Sequence, residues 1–153
     1  MTQLNNHNVG SLSAAVETPI YDRQAVTPGI VHIGVGGFHR AHQAMYVDAL
    51  MNQGEALDWG IVGVGVMPGD KRMQQALAAQ DYLYTLVVKH PDGEYQPRVI
   101  GSMVNYLFAP EDPEAVIETM ADPAIKIVSL TVTEGGYNFH PVFGEFTVSY
   151  THL

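Results

Sequence analysis

The sequence predicts an α/β fold with a doubly wound, mostly parallel sheet and an added β-hairpin or meander. Short apolar runs typical of buried strands alternate with segments of helical periodicity. A glycine-rich turn joins the first strand to a helix, and a Pro-Asp-Gly turn separates two β-rich runs later in the chain. Alternating strands and helices favour a parallel sheet, whereas the second turn favours an antiparallel pair.

The first half of the chain reads as strand, helix, strand, helix. Residues 1–28 are polar and aperiodic, which predicts an N-terminal arm. Residues 30–33 and 59–66 are apolar runs that predict two buried strands, each followed by a helix. The predicted buried stripes of the two helices are Ala41, Ala44, Val47 and Met51 in the first, and Met73, Ala76 and Leu77 in the second.

The second half adds a hairpin, a helix and a further strand. Residues 82–108 hold the two β-rich runs around Pro-Asp-Gly. The next helix has Asp112 as its N-cap, Pro113 at its first position and an Asp-Pro stop. Its predicted inward residues are Val116, Ile117 and Met120. Residues 125–132 predict a buried strand that runs into a second glycine-bearing loop, and both glycine loops should lie at the carboxyl edge of the sheet, where ligands bind.

Composition excludes several classes of function. The 153 residues suit one domain, and a formal charge of −9 disfavours nucleic acid and anionic membranes as partners. The absence of cysteine excludes disulfides and thiolate catalysis. The first residues lack the pattern of a signal peptide, so a cytoplasmic protein without a membrane partner is expected.

The glycine turn is the first candidate site. Gly34, Val35, Gly36 and Gly37 stand between a strand and a helix, as in Rossmann-like folds whose bare backbone approaches a pyrophosphate. A tight turn without a ligand is the alternative. His39 occupies the third glycine position of G-x-G-x-x-G, where close packing of helix on strand is usual, so the helix must sit differently here.

Polar residues directly after the turn add to this site. Phe38, His39 and Arg40 lie in the first helical turn, and a cation there is favourable only near an anion. Arg40 therefore either faces a phosphate or is a solvated surface residue. His39 and His42 could form a metal pair, but nothing at helical spacing completes the ligand set, so no metal site is predicted.

Cofactor choice depends on the end of the second strand. Asp70 is the first acid after that strand, and either contacts an adenosine ribose or caps the next helix. Lys71 and Arg72 could instead receive a 2′-phosphate. The sequence favours NAD over NADP.

The loop T-V-T-E-G-G-Y-N is the second candidate site. Glu134 follows a predicted buried strand, where a carboxylate could orient a hydroxyl or accept a proton, so it is the candidate catalytic residue. An ordinary loop acid is the alternative.

Two motifs, G-x-G-G-F-H-R-A-H and T-x-T-E-G-G-Y, occur together with A-A-Q-D-Y-L-Y-T-L and G-E-F. Over residues 29–146 the chain resembles the N-terminal domain of the mannitol dehydrogenase family, within the long-chain polyol dehydrogenases and reductases. The resemblance implies that residues 34–40 bind the pyrophosphate and Asp70 the ribose. It also implies that Thr133, Glu134, Gly135 and Tyr137 border the nicotinamide and substrate cleft.

The same resemblance implies an activity. Such enzymes pass hydride between a secondary alcohol of a polyol or aldonate and a nicotinamide cofactor without zinc. D-mannitol to D-fructose is the expected reaction, with fructuronate or tagaturonate reduction, or a dinucleotide-binding module without catalysis, as alternatives. A methyltransferase is a further alternative, since its cofactor loop is also glycine-rich.

The resemblance also implies that the chain is incomplete. The catalytic lysine of such enzymes belongs to a helical C-terminal domain, so we expect truncation before that domain and little or no turnover. Residues 147–153 depart from the pattern, and we expect them to be a non-native tail.

Overall fold

A computed structural model describes residues 3–12 and 14–132. In chain order the strands and helices are β1 (Pro28–Ile33), α1 (Gly37–Ala41), α2 (Gln43–Met51), β2 (Gly60–Gly65), α3 (Lys71–Ala78), β3 (Tyr84–Lys89), β4 (Tyr95–Ile100), β5 (Met103–Phe108), α4 (Pro113–Ala121) and β6 (Ile127–Leu130). Short 3₁₀ turns occupy Val9–Ser11, Arg23–Ala25 and Pro68–Asp70. Within the described ranges, no helix is long and apolar enough to cross a bilayer.

The sheet confirms the predicted fold class. Strands run parallel in the order β5-β2-β1-β6, and β3 with β4 forms the separate antiparallel hairpin. Ile33 at the end of β1 pairs with Leu130 at the end of β6. The chain therefore leaves both strands side by side at the carboxyl edge.

Elements cover both faces of this sheet. On one face Ile30 and Ile61 pack with Ala44 of α2 and Ile100 of the hairpin. On the other, Val31 packs with Val116 of α4. Neighbouring strand residues therefore bury opposite faces, which is the doubly wound arrangement and explains the continuous apolar runs of β1 and β2.

Several helix predictions were wrong in detail. The first helix breaks at His42, where φ is −123° and ψ is −78°, and it continues as α2. Ala76 and Ile117 are exposed, whereas Leu77 and Val116 are buried. Each helix buries only the stripe that meets the sheet, and this stripe is narrower than the periodicity suggested.

The predicted burial of the last strand is not found. Ile127, Val128 and Leu130 of β6 are 43–59% exposed, because β1 is its one strand partner in the described part of the chain. The predicted cap of α4 is confirmed, since Asp112 Oδ1 accepts the N–H of Ala115 at 3.0 Å.

The N-terminal arm is bound to the domain by buried polar contacts. Asp48 of α2 is fully buried and accepts hydrogen bonds from Tyr21 Oη at 2.7 Å and the Gly101 N–H at 2.8 Å. Arg98 of β4 donates to the same carboxylate at 3.0 Å. Arg23 reaches the carbonyl oxygens of Gly101 and Met103, at 3.0 and 2.9 Å. The residues predicted as an arm therefore join α2 to the hairpin.

Candidate functional site

The turn after β1 has a bare backbone that faces open space. Gly34 has φ of +89°, a conformation that favours glycine, and its N–H donates to Val64 O at 2.9 Å. A Cβ added at Gly36 or Gly37 would meet no atom of the described residues within 4 Å. The fold itself does not need glycine at these two positions for space, so the room above them is available to a ligand.

Val35 between these glycines points into the protein. Its side chain packs with Leu77, Met103 and Tyr106, and its Cγ2 would lie 2.6 Å from a Cβ added at Gly63 of β2. Only the backbone of Val35 remains for a ligand. The Val35 side chain thus attaches the glycine turn to the core, and the backbone amide groups of the turn form the candidate binding surface.

Arg40 braces the turn. Its Nη1 donates to Val35 O at 2.7 Å, and its own carbonyl accepts the Tyr84 hydroxyl at 2.6 Å. The guanidinium therefore satisfies a carbonyl oxygen of the turn, a role that the sequence did not predict. α1 has only five residues, so the electrostatic effect of a long helix is small here and the turn provides most of the backbone donors.

The other residues of the first helical turn differ in burial. Phe38 is 68% exposed and contacts the ring of His42, with centroids 4.7 Å apart. His39 is 1% exposed and lies against β1. His39 and His42 therefore do not form a metal pair. In the part of the chain that the structure describes, no group of three or more histidine or acidic side chains could hold a metal ion.

Asp70 lies at the end of β2, beside the glycine turn. Its Oδ2 accepts the N–H groups of Val66 and Met67, at 3.0 and 2.9 Å, and makes no capping bond to α3. Asp70 stands at the N-cap position of α3, but its carboxylate caps the 3₁₀ turn Pro68–Asp70 that precedes the helix. Oδ1 accepts no hydrogen bond within the described residues and remains free for a hydroxyl.

Tyr106 of β5, which sequence reasoning did not single out, lies close to Asp70 at the end of β2. Its hydroxyl is buried and has no hydrogen-bond partner among the described residues. A Cβ added at Gly65 would lie 2.5 Å from this hydroxyl and 2.6 Å from Asp70 Cβ. Burial, with the nearby Asp70 charge, raises the pKa of Tyr106 to about 12. A buried hydroxyl without a partner is unusual in a protein core, and the apolar pattern of its strand gave no signal of it.

The basic residues after Asp70 are not equally available. Lys71 forms an ion pair with Glu111, and its Nζ lies 5.2 Å from the ring centroid of Phe108. Arg72 is exposed. The lysine that could have met a 2′-phosphate is therefore already held by a carboxylate.

The second candidate loop lies outside the described residues from position 133 onward, and this includes Thr133, Glu134, Gly135 and Tyr137. The residues leading to it are described. Ser129 of β6 and Thr131, directly after the strand, contact His32 of β1 through their hydroxyls at 2.9 and 3.1 Å. The chain therefore approaches this loop from the edge that carries the glycine turn.

Comparisons with known proteins agree with this geometry. A family model described as "Mannitol dehydrogenase Rossmann domain" matches residues 28–150. Mannitol 2-dehydrogenase of Cereibacter sphaeroides is 57% identical over 126 residues, which cover 82% of this chain and 26% of that protein. Polyol:NADP oxidoreductase of Gluconobacter oxydans is 47% identical over 145 residues, which cover 94% of this chain and 30% of that protein.

A solved structure gives the same answer. The Pseudomonas fluorescens mannitol 2-dehydrogenase, in a ternary complex with NAD and D-mannitol, has a TM-score of 0.87 and 49% identity. The match covers 95% of this chain and 30% of that one. The chain thus spans between 26% and 30% of the length of these relatives. The parallel sheet, the glycine turn and the matched residues 28–150 together show that this chain belongs to the mannitol dehydrogenase family, of which it carries the Rossmann domain.

Proposed function

We propose that this chain is the dinucleotide-binding part of an NAD-dependent polyol dehydrogenase that interconverts D-mannitol and D-fructose. The observation that carries the proposal is the open backbone at Gly36 and Gly37, next to Asp70. The solved relative in complex with NAD and D-mannitol supports the choice of cofactor and substrate.

The glycine turn would bind the pyrophosphate through backbone N–H groups. Gly36 is the N-cap of α1 and, as a glycine, makes no side-chain bond to the free N–H groups there. A larger side chain at this position would fill the space above the turn. Arg40 would act indirectly, because its bond to Val35 O keeps that carbonyl from facing the phosphate oxygens. Phe38, exposed beside the turn, would cover the bound dinucleotide on one side.

The adenosine ribose would lie at the end of β2. Asp70 Oδ1 is available to accept a ribose hydroxyl, and the unpaired Tyr106 hydroxyl lies beside it. The carboxylate also opposes a 2′-phosphate, and Glu111 holds Lys71 in an ion pair. These contacts favour NAD. NADP is the second candidate, because the Gluconobacter relative is named for it.

Asp70→Asn is expected to shift cofactor preference towards NADP. The asparagine oxygen can still accept from Val66 and Met67, so the turn should persist while the negative charge is removed. We expect the ratio of NADPH to NADH affinity to rise about tenfold, measured by fluorescence titration. Glu118→Gln, which removes an exposed charge on α4, is the control. An unchanged ratio would return Asp70 to a purely structural role.

Catalysis in such an enzyme needs a base as well as the cofactor. NAD, when bound, would supply the hydride acceptor for the carbinol carbon, and a base would be needed to remove the proton of the hydroxyl. We propose Glu134 as a residue of the substrate cleft, with Thr133 and Gly135 beside the nicotinamide. By family resemblance the base lysine lies in the C-terminal helical domain, which would be this chain's partner.

The 153-residue chain is therefore expected to bind NADH without oxidising D-mannitol. Fluorescence titration with NADH tests binding, and absorbance at the NADH band with NAD and D-mannitol tests turnover. The same assay on the gene extended beyond residue 146 should show D-mannitol oxidation. Binding of S-adenosylmethionine without any response to NADH would contradict the proposal.

A further inference from the structure

Two imidazole rings are stacked beneath the glycine turn. The ring of His39, from α1, lies on the ring of His32, from β1, with centroids 3.8 Å apart and planes 9° from parallel. Both are buried, at 1% and 4% exposure. His39 occupies the position at which the usual dinucleotide fingerprint has glycine for close packing of helix on strand. The stack thus fills a gap that is normally closed by direct backbone contact.

Hydrogen bonds orient both rings, through both nitrogens of His32 and through Nδ1 of His39, whose buried Nε2 has no partner among the described residues. His32 contacts Ser129 Oγ through Nδ1 at 2.9 Å and Thr131 Oγ1 through Nε2 at 3.1 Å. His39 Nδ1 contacts Gln43 Oε1 at 2.8 Å. The rings therefore connect the start of α2, the turn of α1, β1 and the end of β6. A flat ring held at its edge cannot rotate without breaking these bonds.

The surroundings of His32 and His39 favour the uncharged form of both rings. Burial, then the neighbouring His32 and also Arg40, lower the pKa of His39 to about 4, against the opposing effect of the hydrogen bond that Gln43 Oε1 accepts from His39. Burial likewise lowers the pKa of His32. Two cations at this distance would repel each other in a poorly solvated site. At neutral pH the stack is therefore a polar but neutral spacer.

We propose that the His32–His39 stack is a positioning pair that sets the height of α1 above β1 and so aims the glycine-turn N–H groups at the pyrophosphate. This inference rests on the dinucleotide binding proposed above. The thickness of two aromatic rings replaces the direct contact that a glycine at position 39 would permit. The same pair also aligns the end of β6 with the turn, through Ser129 and Thr131.

Two substitutions at position 39 distinguish the effect of a flat ring on NADH affinity from the effect of apolar burial. His39→Phe keeps a flat buried ring, whereas His39→Leu keeps apolar burial without flatness. We expect NADH affinity by fluorescence titration to fall about tenfold in His39→Leu and to stay within about threefold of wild type in His39→Phe. His32→Leu should resemble His39→Leu, and the double leucine variant should be no weaker than either single one, because both remove the same stack. His90→Ala, at the distant hairpin, is the control.

Amide hydrogen exchange without nucleotide gives an independent readout. In His39→Leu the amides of Arg40 and His42 should exchange faster, while those of β2 stay unchanged. Equal acceleration throughout the sheet, unchanged NADH affinity in folded His39→Leu, or additive losses in the double variant would overturn the positioning role. If His39→Leu does not fold, a tenfold loss of affinity in His39→Phe would overturn it and wild-type affinity would support it. Failure of wild type to bind NADH would count against the proposed function, while hydrogen exchange would still decide the role of the stack.

Discussion

Asp48→Asn is expected to destabilise the domain by about 3–5 kcal/mol, the largest stability loss that we predict. Asp48 is fully buried, and its carboxylate accepts from Tyr21, Arg98, Gly101 and the Asn52 side chain. The asparagine side chain has the same shape, but only its oxygen can accept hydrogen bonds. Its NH₂ group would face groups that donate to the second carboxylate oxygen of Asp48. The Arg98 cation would then stay largely buried without its counter-charge.

Urea unfolding followed by circular dichroism measures this loss for the whole chain. Glu118→Gln removes the charge of an exposed acid and should change the unfolding free energy by less than about 0.5 kcal/mol. Since the Asp48 contacts join the arm to α2 and the hairpin, hydrogen exchange at the arm should rise first. A loss below about 1 kcal/mol would show that the Asp48–Arg98 ion pair contributes little net stability, because its attraction is offset by the cost of desolvating both charges.

Gly36→Val is expected to reduce NADH affinity on the order of a hundredfold while the domain stays folded. The backbone at Gly36 has φ of −80° and ψ of −177°, which valine adopts easily, and within residues 3–12 and 14–132 the added Cβ would meet no atom closer than 4 Å. The branched side chain would instead occupy the space proposed for the pyrophosphate. The effect should therefore appear in binding and not in stability.

Fluorescence titration and thermal unfolding should be measured on the same preparation. Gly10→Val is the matched control, because its Cβ also meets open space but lies in the N-terminal arm, away from the turn. Wild-type affinity in Gly36→Val would contradict pyrophosphate binding at this turn. A large fall in melting temperature would instead mean that the turn has a packing requirement of its own.

Local features of the fold were predictable from the sequence. The Asp112 cap, the Pro-Asp-Gly hairpin turn with Gly93 at φ of +91°, and the glycine turn after β1 each depend on residues close together in the chain. The alternation of strands and helices was sufficient for the parallel sheet, because few arrangements bury such runs on both faces. The chemical class of the candidate site follows from the same short patterns.

Contacts between distant segments were not predictable in this way. The helical periodicity places Asp48 beside Ala44 and Met51 on the buried side, but it does not indicate which donors surround the carboxylate. Tyr106 reads as an ordinary strand residue. Arg40 Nη1 bonds to Val35 O, a contact that no pattern in the sequence indicated. In each case the partner is set by how elements pack, and single-sequence periodicity carries no information about that packing.

The sequence by itself determined the order of elements, the bare turn at residues 34–37 and the acid after β2, because backbone preferences and burial patterns act locally. Only the tertiary structure decided which side chains face the turn from below and which face solvent. His39 and Phe38 are neighbours in the chain, yet one lies against His32 of β1 and the other is exposed, since a helix presents successive residues to different sides. Which side of α1 meets the sheet depends on how the elements of the whole domain pack together.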